Sequence, residues 1–310
     1  KSGADYVKFQ SFKAENMVRL KTKIAKYQSK NLGKKITQFN LLKKLELSDT
    51  DHNKIIKYCN KKKIHFISSP FDMESLNLLF RLKIYTIKVA SGEINNYIFL
   101  KNVAKKAKKI FISSGMSTLN EVSQAIKILV SNGAKKKNIT ILHCHTDYPT
   151  KLTDVNLLAM QTIKKKLNID VGYSDHTIGK ETAIAAVSLG AKVLEKHITL
   201  KKNMQGPDHR ASMEPNKFTD YVKSIRNTEI LLGSYLKKSP GSPDHRANPL
   251  DLTAAYRLQI GPKAARFPSG NAPEDSPEKP KNQPIPRLNF LHALVHQDFP
   301  GCDKPAELLL

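Results

Sequence analysis

Between residues 6 and 199, seven short β-rich runs alternate with helical segments, and this alternation constrains the fold more than any other feature. The runs are YVKFQ (6–10), HFISSPF (65–71), TIKVAS (86–91), IFISSG (110–115), ITILHCH (139–145), DVGYSDH (170–176) and KVLEKHIT (192–199). The stretches between them carry helical signatures. After IFISSG, Thr118 and Glu121 are spaced as a capping box, and Val122, Ala125, Ile126 and Leu129 repeat at helical spacing. Gly133 stands where such a helix would close. Strand–helix alternation specifies a parallel α/β fold. Seven units are one short of a (β/α)8 TIM barrel. The chain opens on KSGAD, which reads as a helix end leading into a strand, so the expectation is a barrel without its first strand–helix unit. A doubly wound open sheet is the alternative. It more typically carries a glycine-rich phosphate turn, and neither GxGxxG nor a P-loop occurs here.

Composition divides the chain near Ser239. Up to Lys238 there are 40 lysines and 4 arginines, whereas residues 239–310 hold 12 of the 16 prolines and 4 each of Lys and Arg. A stretch such as GNAPEDSPEKPKNQPIP sustains neither a helix nor a central strand, because proline removes backbone donors and fixes φ. Residues 1–236 are therefore read as the barrel domain and 237–310 as a disordered tail, the kind of switch a frameshift or fused segment produces. The pentapeptide PDHRA occurs at 207–211 and 243–247 without matching flanks, so it is no structural repeat.

The net charge of +25 raises the question of nucleic acid. The lysines come in short runs at the ends of helical patterns, where cations are favourable, and aromatic residues do not interleave with them. The reading is no nucleic acid. No charge-free apolar run reaches membrane-spanning length, and no signal-peptide pattern opens the chain, so no membrane partner is expected. Three widely spaced cysteines make neither a disulfide framework nor a zinc knuckle, which suits a cytoplasmic setting.

Chemistry in such a barrel gathers at the C-terminal ends of the strands. Strand side chains alternate, so Tyr6, Lys8 and Gln10 share one face and Val7 and Phe9 the other. In GYSDHTIG, Ser174 and His176 point one way and Asp175 the other, which rules out a triad of consecutive residues. His197 ends the next strand, so two imidazoles can converge and, with substrate or water oxygens, suit a divalent ion such as Mn²⁺ or Zn²⁺. Ser68, Ser69, Lys88, Ser91, Ser113, Ser114 and Ser174 recur at strand ends, composing a phosphate or carboxylate cradle. Glu93 follows the SGE turn as an acid/base candidate or an ordinary first-turn carboxylate.

These motifs, in this order, resemble the sialic acid synthase (N-acetylneuraminate synthase) family. The resemblance rests on GADYVKFQSFKAENMV, FISSPFDMESL, IKVASGEINN, FISSGMSTLNE, ILHCHTDYP, DVNLLAMQT, VGYSDHTIG, LGAKVLEKHITL and GPDHRASMEP, and spans roughly residues 3–233. It implies a TIM barrel that condenses phosphoenolpyruvate with N-acetylmannosamine, or, in relatives, with the diacetamido-sugars that precede legionaminic and pseudaminic acids. A catalytically dead phosphoenolpyruvate-binding relative is a further alternative. The resemblance implies His176 and His197 as ligands of a divalent metal, Mn²⁺ first, with Mg²⁺ or Co²⁺ possible. It implies phosphoenolpyruvate contacts at Lys8, Ser69, Lys88, Ser91, Ser113 and Ser174, and sugar contacts at Gln10, Tyr148 and Asp208. Glu93, with Lys8, is expected to handle protons and orient the sugar. Family members are homodimers with a first strand in a motif like AEIGxNHxG and a C-terminal antifreeze-like domain. Neither motif is found here, so low activity is expected of this chain.

Overall fold

The computed structural model describes residues 2–23, 37–204 and 208–233, and residues 289–294 as backbone. One compact unit comprises Lys1–Leu231 with Arg287–Leu310, and the other, Leu232–Pro286, lies almost wholly outside the described residues. The expected disordered tail and the second PDHRA copy also fall outside them, apart from 289–294.

Strands β1 (Tyr6–Ser11), β2 (His65–Pro70), β3 (Thr86–Val89), β4 (Lys109–Ser113), β5 (Ile139–Cys144), β6 (Asp170–Asp175) and β7 (Val193–Ile198) match the seven β-rich runs. Each pairs in parallel with the next. The slot between β7 and β1 holds β8 (Asn289–Leu294), parallel to both, and the barrel closes. The sequence reading expects a strand before Lys1 for this slot; here a run from the 237–310 segment lies in it. The surrounding proline density masks a short proline-free apolar run, NFLHAL. Open edges on β7 and β1 would each leave a row of unpaired backbone groups, and such a run satisfies both.

Around the strands lie α1 (Ala14–Met17), α2 (Gln38–Leu45), α3 (Asp49–Lys61), α4 (Met73–Arg81), α5 (Tyr97–Lys106), α6 (Leu119–Ser131), α7 (Leu158–Leu167), α8 (Glu181–Ser188) and α9 (Pro215–Leu232). In α6 the Thr118–Glu121 capping box forms, the four apolar residues read from sequence are buried, and Gly133 follows the C-cap at φ +110°. Strand parity sorts the rest. Val7, Phe9, Ile110, Ile112, Val171 and Tyr173 pack outward into the cluster shared with the helices. Ile67, Phe111, Leu142 and Val193, with Tyr6, form a separate cluster inside the barrel. That cluster is an apolar floor beneath the polar residues further along the same strands.

Gly172 faces this floor from β6. A Cβ there would collide with the Val193 backbone oxygen and the Leu142 side chain. Only glycine lets β5 and β7 carry bulky floor residues on either side of β6. A Gly172→Val substitution should therefore cost about 1–3 kcal/mol by overpacking, measured as a lower urea midpoint at unchanged m-value.

Candidate functional site

Above the floor, the inward positions become charged. Lys8, Lys88 and Glu195 are each 3 % exposed or less. Glu195 stands between the ammonium groups, with Lys8 Nζ at 3.7 Å from Oε1 and Lys88 Nζ at 3.9 Å from Oε2. These are ion pairs, too long for hydrogen bonds, so ammonium protons remain to be used. Lys88 gives one to the Val89 carbonyl at 3.2 Å. Ser174 donates to Glu195 Oε1 at 2.8 Å. Burial would raise the Glu195 carboxyl, but Lys8, Lys88 and the Ser174 bond together hold it down at about 2. Burial pushes the Lys88 ammonium down, opposed by Glu195 and reinforced by Lys8. Two ammoniums against one carboxylate leave an enclosed excess of positive charge, which an anion would neutralise.

His176 and His197 stand above this group with ring centroids 5.4 Å apart, near perpendicular. The Tyr148 ring lies 4.1 Å from His176 and 5.4 Å from His197. The loop after β5 that carries Tyr148 is tied to the end of β6 twice. His176 Nδ1 donates to the His145 carbonyl at 2.6 Å, and Thr150 N–H donates to the His176 carbonyl at 2.9 Å. A carbonyl only accepts, so the His176 proton sits on Nδ1 and Nε2 holds a lone pair. Ser174 Oγ lies 3.3 Å from that nitrogen but has already given its one proton to Glu195. Burial pushes His176 down to about 4 despite the His145 carbonyl, and burial, His176 and Lys8 push His197 well below its ordinary value. Both rings are neutral at pH 7.

Buried atoms without a hydrogen-bond partner among the described residues include Gln10 Nε2, Ser69 Oγ, Glu195 Oε2 and His197 Nδ1. Gln10 and Ser69 are register partners on β1 and β2. Unsatisfied polar atoms are rare in an interior, and several beside an uncompensated positive charge mark a ligand space. The neutral imidazoles, the free lone pair on His176 and the open His197 nitrogen fit a divalent cation that keeps oxygen ligands from substrate or water. No group of three or more His, Cys, Asp or Glu arranged for a metal occurs among the described residues. Among the described residues, His176 and His197 are the two donors placed for such an ion.

The structure thus brings together Lys8, Lys88, Ser174, His176, His197 and Tyr148, with Gln10 and Ser69 alongside. Ser113 is buried at the end of β4, beside Cys144. Ser91 and Glu93 form a short 3-10 turn after β3, and the Glu93 carboxylate accepts from Asn96 at 2.8 Å rather than from the central group. Asp208 is buried in the loop after β7, its carbonyl accepting from Ala211 and Ser212. Sequence reasoning missed Glu195. The signal was available, since Glu195 has the same strand parity as His197.

A parallel α/β barrel with a cationic, hydroxyl-lined interior and paired neutral imidazoles at its mouth defines an enzyme of the barrel class that works on an anion. Comparison with known proteins places it more closely. The sequence profile of the NeuB family matches residues 1–237, and the chain belongs to that family. The N,N'-diacetyllegionaminic acid synthase of Campylobacter jejuni is 45 % identical over 300 residues, covering 97 % of this chain and 86 % of the relative. The enzyme of the same name from Legionella pneumophila is 42 % identical, covering 84 % and 72 %. The human N-acetylneuraminate-9-phosphate synthase is 36 % identical, covering 76 % and 65 %. Among solved structures, the N-acetylneuraminic acid synthetase of Leptospira borgpetersenii superposes with a TM-score of 0.68 at 27 % identity, covering 84 % of each chain. The chain is a phosphoenolpyruvate-using condensing enzyme of the sialic-acid type. No helix among the described residues is long and apolar enough to cross a membrane.

Two outcomes follow from the charges. Glu195→Gln leaves two ammoniums buried without their countercharge and should destabilise the protein by about 3–5 kcal/mol, read as a lower melting temperature. Added phosphoenolpyruvate should recover more stability in this variant than in the parent. Separately, burial lowers His52, His143, His176, His197 and His209 from 6.5. The unfolded chain takes up these protons first, so stability is full above about pH 6.5 and falls as pH drops toward the folded values. Urea unfolding at pH 7 and 5.5 should show net proton uptake of more than one on unfolding, at about 1.36 kcal/mol per pH unit for each proton.

Proposed function

We propose that this protein condenses phosphoenolpyruvate with a diacetamido-sugar of the legionaminic type, releasing phosphate. The observation that carries the sugar assignment is the identity to two N,N'-diacetyllegionaminic acid synthases, at 45 % and 42 %, against 36 % to the human neuraminate-9-phosphate synthase. It favours the diacetamido alternative over N-acetylmannosamine, the first expectation from sequence.

In this reading Lys8, Lys88, Ser69, Ser91, Ser113 and Ser174 hold the phosphate and carboxylate of phosphoenolpyruvate. The excess positive charge around Glu195 supports that role. Glu195 also gives the two lysines a shared countercharge before substrate arrives. Carbon 3 of phosphoenolpyruvate attacks the open-chain aldehyde, water adds at carbon 2, and phosphate leaves with C–O cleavage. Prearranged donors around the cradle stabilise the charge that develops in those steps. His176 and His197 would hold the divalent metal, with Mn²⁺ as the first choice and Mg²⁺ or Co²⁺ as substitutes. Such an ion supplies Lewis-acid polarisation of the aldehyde oxygen. Tyr148, packed on both imidazoles, shields the metal end from water, and Gln10, Tyr148 and Asp208 face the sugar. Glu93, at the rim, orients the sugar and handles protons.

Phosphate release with Mn²⁺, phosphoenolpyruvate and either a 2,4-diacetamido-sugar or N-acetylmannosamine tests the proposal. The expected result is a higher kcat/KM for the diacetamido-sugar. Preference for N-acetylmannosamine would overturn the sugar assignment, and binding of phosphoenolpyruvate without phosphate release from any amino sugar would mark a non-catalytic relative.

A further inference from the structure

On the outer face of β6 and β7, directly behind the two imidazoles, sits a second buried charge group. Asp175 and Lys196 are opposed in register, 1 % and 3 % exposed. Lys196 Nζ donates to Asp175 Oδ2 at 2.9 Å and to the Thr177 carbonyl at 2.5 Å. The other Asp175 oxygen accepts from the Thr177 backbone at 2.9 Å and the Thr177 hydroxyl at 2.7 Å. From α9, the Tyr221 hydroxyl donates to Asp175 Oδ2 at 3.1 Å, and the Tyr221 ring lies 5.5 Å from Lys196 Nζ. Thr182 of α8 stands 3.2 Å from the Thr177 hydroxyl.

Every member of this group is hydrogen-bonded within it, and none is aimed into the barrel. The reaction gives these residues nothing to touch. A buried ion pair is also a weak source of stability, since apolar residues of similar volume commonly serve as well or better. What such a pair does well is fix one arrangement against its neighbours. Asp175 immediately precedes His176, and Lys196 immediately precedes His197. Strand parity sends the ion pair outward and the imidazoles inward from consecutive residues. The Thr177 bonds extend the clamp past His176, so the residues on both sides of that histidine are held by one carboxylate and one ammonium.

We propose that Asp175 and Lys196 are positioning residues: their ion pair clamps the ends of β6 and β7 so that His176 and His197 meet at the spacing one divalent ion requires. The inference rests on the metal role proposed for the two histidines. Two donors make a weak site, and affinity then depends on how little the protein must rearrange to present them.

The test uses the whole 310-residue chain. Mn²⁺ binding by the parent is measured first by titration calorimetry, beside a His176→Ala, His197→Ala variant. Binding by the parent that the double alanine variant loses is expected. Absence of that difference would overturn the metal role and this proposal with it. An Asp175→Leu, Lys196→Met variant then replaces the pair by apolar residues. Its melting temperature should fall, because Thr177 and Tyr221 lose their acceptor, and at a temperature where the variant is fully folded its Mn²⁺ affinity should be lower by about 10–100-fold. The visible spectrum of bound Co²⁺ should change as well. Parental affinity and an unchanged Co²⁺ spectrum would overturn the clamp and leave the metal role standing. Should that variant fail to fold, Tyr221→Phe removes one bond to Asp175 and should weaken Mn²⁺ binding by a smaller factor, and Lys196→Arg should retain most of it. Full Mn²⁺ affinity in Tyr221→Phe, or equal loss in Lys196→Arg and Lys196→Met, would also overturn the proposal.

Discussion

The carboxylate of Glu195, buried between two lysines, is the interaction on which the rest of the site depends. Lys8 comes from β1, Lys88 from β3 and Glu195 from β7, so the group ties three separated strands across the barrel interior. Desolvating three charges is costly, and contacts of 3.7 and 3.9 Å compensate for it only in part. The remainder is an electrostatic demand that an anionic ligand meets. The apolar floor of Ile67, Phe111, Leu142 and Val193 sharpens this demand by closing the barrel to water from below. Ligand and charge group therefore meet in a space with one open end, where the two imidazoles and Tyr148 stand.

Much of this was legible in the sequence because strand parity is a strict period of two. Once seven runs are read as strands, the inward positions are fixed, and Lys8, Gln10, Ser69, Lys88, Ser174, His176 and His197 all fall on them. Parity does not say which inward residues meet. Glu195 went unread for that reason: in KVLEKHIT its neighbours along the chain are apolar or outward, and its partners lie 187 and 107 positions away in β1 and β3. The eighth strand was illegible for a different reason. A six-residue run without an alternating pattern, set among prolines, gains its strand character from the two edges that receive it. The fate of GYSDHTIG lies between these cases. Its alternation excluded a triad at once, but only the register against β7 shows that its aspartate is spoken for by Lys196.

The two faces of β6 and β7 divide labour that sequence alone cannot separate. Inward, Ser174 and Glu195 share a proton's worth of hydrogen bonding, and the histidines present neutral nitrogen. Outward, Asp175, Lys196, Thr177 and Tyr221 form a closed network with α8 and α9 beside it. Both sets are charged, buried and consecutive in sequence, so residue type does not distinguish them. Saturation does. The outer group is hydrogen-bonded within itself, whereas the inner one keeps unpartnered polar atoms at Gln10, Ser69 and His197.

That contrast also bears on how one scaffold could serve several sugars. In the proposed reading the anion cradle is built on strands and held by charges that leave little freedom to vary. The end proposed to face the sugar is built on loops: the segment after β5, tied down through His145 and Thr150, and the segment after β7 around Asp208. Loops on a rigid barrel change with less cost to the core than strand interiors do. Within the β5 loop, His145 and Asp147 lie 3.5 Å apart with side chains 38 % and 65 % exposed, while the Tyr148 ring beside them is packed on the imidazoles. Substituents far from the reacting aldehyde would meet that exposed pair, and the aldehyde itself would meet the packed ring. On that proposal, selectivity among amino sugars changes at the rim while the chemistry assigned to Lys8, Lys88, Glu195 and the histidines stays the same.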